Sequence, residues 1–274
     1  MIVDAHAHVW SDDEETYPFA PLLAHVPPPQ RPAPVETLIE EMDAAGVDKV
    51  ILVQPSVYGY DNRYLMGCLA RWPDRFIGHC LINPRSPTPQ ADLLQWCGPE
   101  GCSGLRLNTI RQGNLSWLAE ADRRPLFHAL IEPRLPVSFH MDIEQAPVIA
   151  QLANRHPAVA FIVDYLGADI HVRHDAAAYL DMLASCPNVN FKLLCTAEDA
   201  RTSYPFPDIV PFYEAVLARF GAERTMFGSD YPGAATVCSY GDLVQWGKNF
   251  PGLGADQREK LMGETALSLH PTSR

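Results

Sequence analysis

The feature that most constrains this chain is a repeated alternation. Short β-branched or aromatic runs are each followed by a stretch with helical spacing, from the first residues to the last. Eight runs read as strands: Ile2–Val9, Lys49–Gln54, Phe76–Leu81, Gly104–Asn108, Val137–Met141, Ala160–Tyr165, Val189–Cys195 and Thr225–Ser229. Between them, Val35, Leu38, Ile39 and Met42 form the stripe of a helix with one face to bury, as do Ile209, Phe212, Tyr213, Val216, Leu217 and Phe220. Eight strand–helix units in 274 residues predict an α/β chain folded as a (β/α)8 TIM barrel, for which about 250 residues is typical. An open doubly wound sheet is the alternative, but no G-x-G-x-x-G follows an early strand and no P-loop occurs. No internal repeat, low-complexity tract or shift in composition divides the chain, so one domain is expected over 1–274. The Pro-rich segment at about 18–34 directly follows the first strand, where a barrel places a lid or a wall over its C-terminal mouth.

Composition narrows the partners. Hydrophobic residues, 47% of the chain, suffice for a large core. A formal charge of −12, from 33 acidic and 21 basic residues, repels nucleic acid and anionic membrane, so the expected partner is a small-molecule substrate. A homo-oligomer is the one protein partner left open. The cysteines at 68, 80, 97, 102, 186, 195 and 238 are odd in number and show no C-x-x-C pair, which predicts reduced thiols and a cytoplasmic chain. No basic n-region with an apolar h-region and no run of 18 apolar residues occurs, so neither export nor membrane spanning is expected.

The chemistry starts at "VDAHAHVW". On an extended strand Asp4, His6 and His8 leave the backbone on one face and Ala5, Ala7 and Val9 on the other. A solvated edge strand is the plainer reading, but Ile2, Val3, Val9 and Trp10 make the run too apolar for it. A barrel gathers functional groups at the C-terminal ends of its strands. Those ends offer His6 and His8, Arg106 and Asn108, His140, Tyr165, and Asp230 in "MFGSDYP". Two imidazoles at i, i+2 joined by His140 and Asp230 make a mixed N/O set suited to zinc or manganese. Asp4 sits deeper, where a carboxylate orients an imidazole or pairs with a core cation.

Arg106, flanked by Leu105 and Leu107, is costly to bury unless it meets an anion, either an acidic side chain or a substrate carboxylate. Arg63 and Arg111 are candidates for the same role, with surface pairing as the alternative. Gln54, Tyr58 and Asn62 follow the second strand and are expected along the pocket. His140 also reads as a core histidine and Tyr165 as a barrel plug. Cys68 and Cys195 lack the His/Asn pattern of a thiol nucleophile. The histidines at 25, 79, 128, 156, 171, 174 and 270 read as structural or solvated.

Taken in order, "DAHAHVW", "EEMDAAGVDKVILVQPSVYGYDNRYL", "GLRLN", "VSFH", "VDYLG" and "FGSDYP" resemble the amidohydrolase superfamily over nearly the whole chain. The similarity is to its amidohydrolase-2 branch, which includes 2-pyrone-4,6-dicarboxylate lactonase and sugar and muconolactone hydrolases. The resemblance implies a distorted barrel with its site at the C-terminal mouth. His6 and His8 match the family's H-x-H, His140 its strand-five histidine, and Asp230 the strand-eight aspartate that serves as general base toward water. Members that bind metal commonly carry Asp-His-x-Gly at the end of strand six, where this chain has Asp164-Tyr165-Leu166-Gly167. An arginine common after that glycine is Ala168 here, and a histidine common after Ser-Asp-Trp-Pro is Gly233. The implied activity is opening of a lactone or related cyclic ester, carboxylated or polyhydroxylated, with Asp230 as base. His140, Tyr165 and an H-x-H imidazole would donate to the oxyanion. One divalent ion is expected to be weakly held or absent. The alternatives are a metal-dependent decarboxylase of an aromatic or muconate-like acid and a metabolite-binding barrel without turnover.

Overall fold

Runs of β-branched and aromatic residues settle as central strands when both of their faces find partners, and all eight do so here. The computed structural model describes residues 1–22, 28–98, 100–167, 169–194 and 200–270. Its strands are β1 (Val3–Ala7), β2 (Lys49–Val53), β3 (Phe76–Leu81), β4 (Gly104–Asn108), β5 (Val137–His140), β6 (Phe161–Tyr165), β7 (Val189–Leu194) and β8 (Thr225–Gly228). Neighbours in sequence are neighbours in the sheet, and every pair is parallel. The expected bounds hold to within two residues. Cys195, expected to end the seventh strand, lies outside the described residues. The sheet closes just beyond its last strand: Asp230 N–H donates to His6 O at 2.9 Å and His8 N–H to Tyr231 O at 2.7 Å. The chain is therefore a (β/α)8 barrel.

Helices α1 (Val35–Ala45), α2 (Arg63–Arg71), α3 (Pro89–Trp96), α4 (Arg124–Ala129), α5 (Ala146–Arg155), α6 (Ala176–Ala184), α7 (Val210–Phe220) and α8 (Tyr240–Lys248) follow the strands in turn. The stripe on α1 buries Val35, Leu38 and Met42, and Gly46, at φ 70°, ends the helix in the left-handed region that favours glycine. On α7 the stripe buries Phe212, Tyr213, Val216 and Phe220. The outward side chains of the strands, among them Leu105, Leu107, Phe139, Phe161 and Phe191, join these helix faces in one large core.

Inside the barrel one cluster is apolar, made of Val3, Ala5, Ile51, Val53, Ile162, Met226 and Ala266. The rest of the interior is polar, with His79, Arg106, Ser138, Asp164, Asn190 and Lys192 all buried. His79 Nε2 and His270 Nε2 are 2.7 Å apart, and His270 Nδ1 donates to Ala266 O at 2.6 Å, so the C-terminal segment plugs the barrel floor. Of the described parts of the Pro-rich segment, the first lies on the connection after β2, with Ala20 N–H donating to Val57 O and Leu22 N–H to Ser56 O, and the second pairs with the chain after β1, where Trp10 N–H donates to Ala33 O. Residues 23–27 of that segment, His25 among them, lie outside the described residues.

One expectation about β1 is corrected. Asp4, His6 and His8 do not share a face, because the pairing register of β1 with β2 shifts between Asp4 and Ala7. Ala5 packs into the inner cluster and His6 also turns inward, toward Lys192, so two successive residues face the interior as in a β-bulge. Asp4 faces α8, where its carboxylate accepts from Tyr240 OH at 3.0 Å.

Candidate active site

β1, β4, β5, β6, β7 and the turn after β8 each deliver one or two polar side chains to the interior. The bulge is what lets His6 and His8 enter together: their Nε2 atoms are 3.2 Å apart and their rings meet edge-on. Asp4 braces this segment from outside. It accepts from the backbone N–H of His6 (3.0 Å) and of Ser229 (2.9 Å) and from the Ser229 hydroxyl (2.6 Å). It therefore orients His6 through the backbone, and among the described residues no cation lies within 4.0 Å of its carboxylate. Burial raises its pKa, against those donated bonds. Gly228 is needed beside this bend, since a Cβ there would lie 2.8 Å from that of His6.

Asp230 follows in the left-handed region at φ 56°, a conformation uncommon outside glycine that turns its carboxylate back over the imidazoles. Its Oδ1 lies 3.6 Å from His6 Nε2 and 3.8 Å from His8 Nε2. At 32% exposure this carboxylate is the part of the constellation most open to solvent.

The interior cations decide which nitrogens carry protons. Lys192 is fully buried, 2.8 Å from Asp164 Oδ1 and 3.1 Å from His6 Nδ1. An ammonium only donates, so His6 Nδ1 is the acceptor and the proton of the neutral ring sits on Nε2, facing His8. His8 Nδ1 donates to Val53 O at 2.6 Å, leaving its Nε2 as the acceptor. Arg106, also buried, donates to Gln54 O at 3.0 Å and to His140 Nδ1 at 2.9 Å, and lies 3.4 Å from His8 Nε2. His140 accordingly carries its proton on Nε2.

Burial, reinforced by these cations, pushes all three imidazoles toward the neutral form. His6 falls to about 4 by burial and then Lys192, and His140 to about 3 by burial and then Arg106. His8 falls well below its ordinary value by burial and then Arg106. Burial works to raise Asp164, but Lys192, His6 and Arg106 overcome it and hold the carboxyl well below its usual range. Neither Asp164 oxygen receives a well-angled hydrogen bond, so its contact with Lys192 is an ion pair without directional support.

The site thus brings together His6, His8, Arg106, His140 and Asp230, with Tyr165 beside them, its ring edge-on to His140 at 5.1 Å. Asn108 ends β4, buried, with Oδ1 unpartnered among the described residues, as are Gln54 Oε1 and Arg106 Nε nearby. Other expected members stand elsewhere. Arg63 is half exposed and forks onto Asp61 with Nε and Nη2. Tyr58 is buried against Phe19, and its hydroxyl accepts from Ser11 N–H at 2.8 Å. Asn62 bonds the backbone of Leu81 in both directions. The exposed Arg111 docks through its backbone N–H on Asp142 Oδ2 at 2.6 Å. Lys192 and Asp164 are the pair that reading by strand ends missed. The signal was present in "NFKLL", a cation inside an apolar strand, the same signal that singles out Arg106 in "GLRLN".

His6, His8 and Asp230 each offer one ligand atom, all within 4.8 Å of one another, and so form a candidate metal cluster. The donor set does not fit a firmly resident divalent ion. His6 presents Nε2–H rather than a lone pair, Arg106 stands between His8 and His140, and His140 is outside the cluster.

Imidazoles and a carboxylate meeting at the C-terminal mouth of a (β/α)8 barrel define a hydrolase-type barrel site. More particularly, the chain belongs to the amidohydrolase family, whose model matches residues 3–271. It is 24% identical to an L-fucono-1,5-lactonase of Burkholderia ambifaria over 99% of this chain and 96% of the relative. It is also 24% identical to a 4-sulfomuconolactone hydrolase of Hydrogenophaga intermedia, over 84% of this chain and 74% of the relative. A solved amidohydrolase of Burkholderia multivorans with zinc bound superposes with a TM-score of 0.83 at 23% identity, covering 99% of this chain and all of the other. No helix among the described residues is long and apolar enough to cross a membrane.

Proposed function

We propose that the chain hydrolyses a lactone, with Asp230 as general base and no resident metal in the chemical step. The observation that carries this reading is the solvent-open Asp230 carboxylate lying within 4 Å of two neutral imidazoles, beside a third, His140, whose Nδ1 accepts from Arg106 and whose proton therefore sits on Nε2. The lactonase names of the relatives support the same substrate class.

Water held against Asp230 loses a proton to the carboxylate as its oxygen bonds to the lactone carbonyl carbon. Negative charge develops on the carbonyl oxygen, where His140 Nε2–H and the Arg106 guanidinium can donate. A well-placed donor of this kind is worth about 3–4 kcal/mol. When the tetrahedral centre collapses, the ring C–O bond breaks and the proton on Asp230 passes to the leaving alkoxide, giving the hydroxy acid. His6 Nε2–H is directed to His8 Nε2, with Asp230 beside both, and the water can donate one hydrogen to Asp230 and another to the His8 lone pair.

Arg106 Nε, Asn108 Oδ1 and Gln54 Oε1 are buried without partners among the described residues, which supports a substrate bearing a carboxylate or several hydroxyls. Asp230→Asn should keep the fold and lower turnover at least about a hundredfold. The assay is product analysis over a lactone panel. Near-normal turnover by the variant, or release of CO2 in place of a ring-opened acid, would overturn the reading.

A further inference from the structure

The outer wall of the barrel carries a second concentration of basic groups. Arg124, His128, Arg155 and His156 line one cleft of about 300 Å³ between α4 and α5. Arg155 and His156 lie at the C-terminal end of α5, just before β6, which puts the cleft toward the N-terminal face of the barrel, opposite the active site. Among the described residues no carboxylate lies within 4.0 Å of Arg124 or Arg155, although acids outnumber bases 33 to 21 and Arg63, Arg71, Arg75, Arg123, Arg173 and Arg219 are each paired with an acid. His156 is only 6% exposed and its ring stacks on Phe127 at 4.9 Å. Its ring nitrogens have no hydrogen-bond partner among the described residues, and its charged neighbours, His128, Arg124 and Arg155, are all basic.

The end of α5 attracts cations and so accounts for Arg155 and His156. It leaves Arg124 unexplained, since this residue opens α4, the helix end where a cation is disfavoured. On a chain with a formal charge of −12, basic groups crowded together without acids are unfavourable unless an anion joins them.

We propose that this cleft binds a phosphate group, either the free ion or a small phosphomonoester, between the two guanidinium groups and the His156 ring. Two guanidinium forks match the oxygens of a tetrahedral dianion, and a buried imidazole adds a third donor. Local attraction prevails over the distant negative surface because charges beyond about 10 Å are screened at ordinary ionic strength.

The test is a titration of the full chain with inorganic phosphate at constant pH and ionic strength, following the ring signals of His128 and His156 by NMR. A parallel titration uses glucose 6-phosphate. The expected result is a saturable shift of both rings, half-complete at about 1 mM or below. The double variant Arg124→Gln/Arg155→Gln should weaken it at least about tenfold. Tighter binding of the sugar phosphate would assign the site to phosphomonoesters, and equal binding to the free ion. Shifts that do not saturate, that chloride reproduces, or that the double variant retains would overturn the proposal, and none of these outcomes touches lactone hydrolysis at Asp230.

Discussion

Replacing Lys192 by methionine is expected to destabilise the barrel by about 3–5 kcal/mol, the cost of leaving a buried charge without its partner. The figure follows from the surroundings of Asp164. Its side chain is 1% exposed, neither oxygen has a well-angled hydrogen bond, and its nearest cation is Lys192 at 2.8 Å, with the neutral His6 ring at 3.8 Å. Methionine fills much of the same volume, so cavity formation adds little. Against a total stability of about 5–15 kcal/mol the loss is large. Equilibrium unfolding in urea, read by tryptophan fluorescence and far-UV circular dichroism, should show the midpoint falling with the slope unchanged. The companion variant Lys192→Met/Asp164→Asn removes both charges and should regain most of the loss, so that the two changes are strongly non-additive. A single variant that loses under about 1 kcal/mol, or a double variant no more stable than the single one, would refute the ion-pair account.

Lys192→Met should also create a better metal site. With the ammonium gone, His6 can donate Nδ1–H to Asp164 and turn a lone pair outward at Nε2, so zinc affinity measured by calorimetry should rise at least about tenfold. Burial lowers His270 to about 4 and holds His79 well below 6.5, so the unfolded chain binds more protons than the native one between those values. Stability present above pH 6.5 is therefore lost as the pH falls toward 4, and His270→Gln should reduce the slope of unfolding free energy against pH by up to about 1.4 kcal/mol per unit. Arg106→Met should raise KM for a carboxylated lactone at least about tenfold more than for its neutral analogue. Equal effects on both would remove the substrate carboxylate as the partner of Arg106 and leave it the oxyanion and His140.

The strands were legible because each is an apolar run with clear punctuation, and Phe76–Leu81 and Gly104–Asn108 fall where the residue pattern places them. Of the site, the residues at strand ends were legible, since barrel topology alone sends His6, His8, His140 and Asp230 to one mouth. What local pattern does not encode is a departure from period two. The bulge in β1 arises from pairing with β2, and a strict alternation puts Asp4 on the wrong face. Arg63 and Tyr58 follow β2 as pocket residues should, but Asp61 and Ser11 claim their polar groups, and such partners emerge only once the loops are folded.

The seam where the barrel shuts has a consequence for biosynthesis. His6 and Asp230 are held to each other by the same backbone bond that joins the first strand to the turn after the last, and the Asp4–Ser229 contact beside it spans 225 positions. During synthesis His6 and His8 emerge well before Asp230, so the centre cannot assemble until the last strand and the turn after it have been made. Hydrolysis then reports completion of the whole ring, and recovery of turnover during refolding times the closing of that seam.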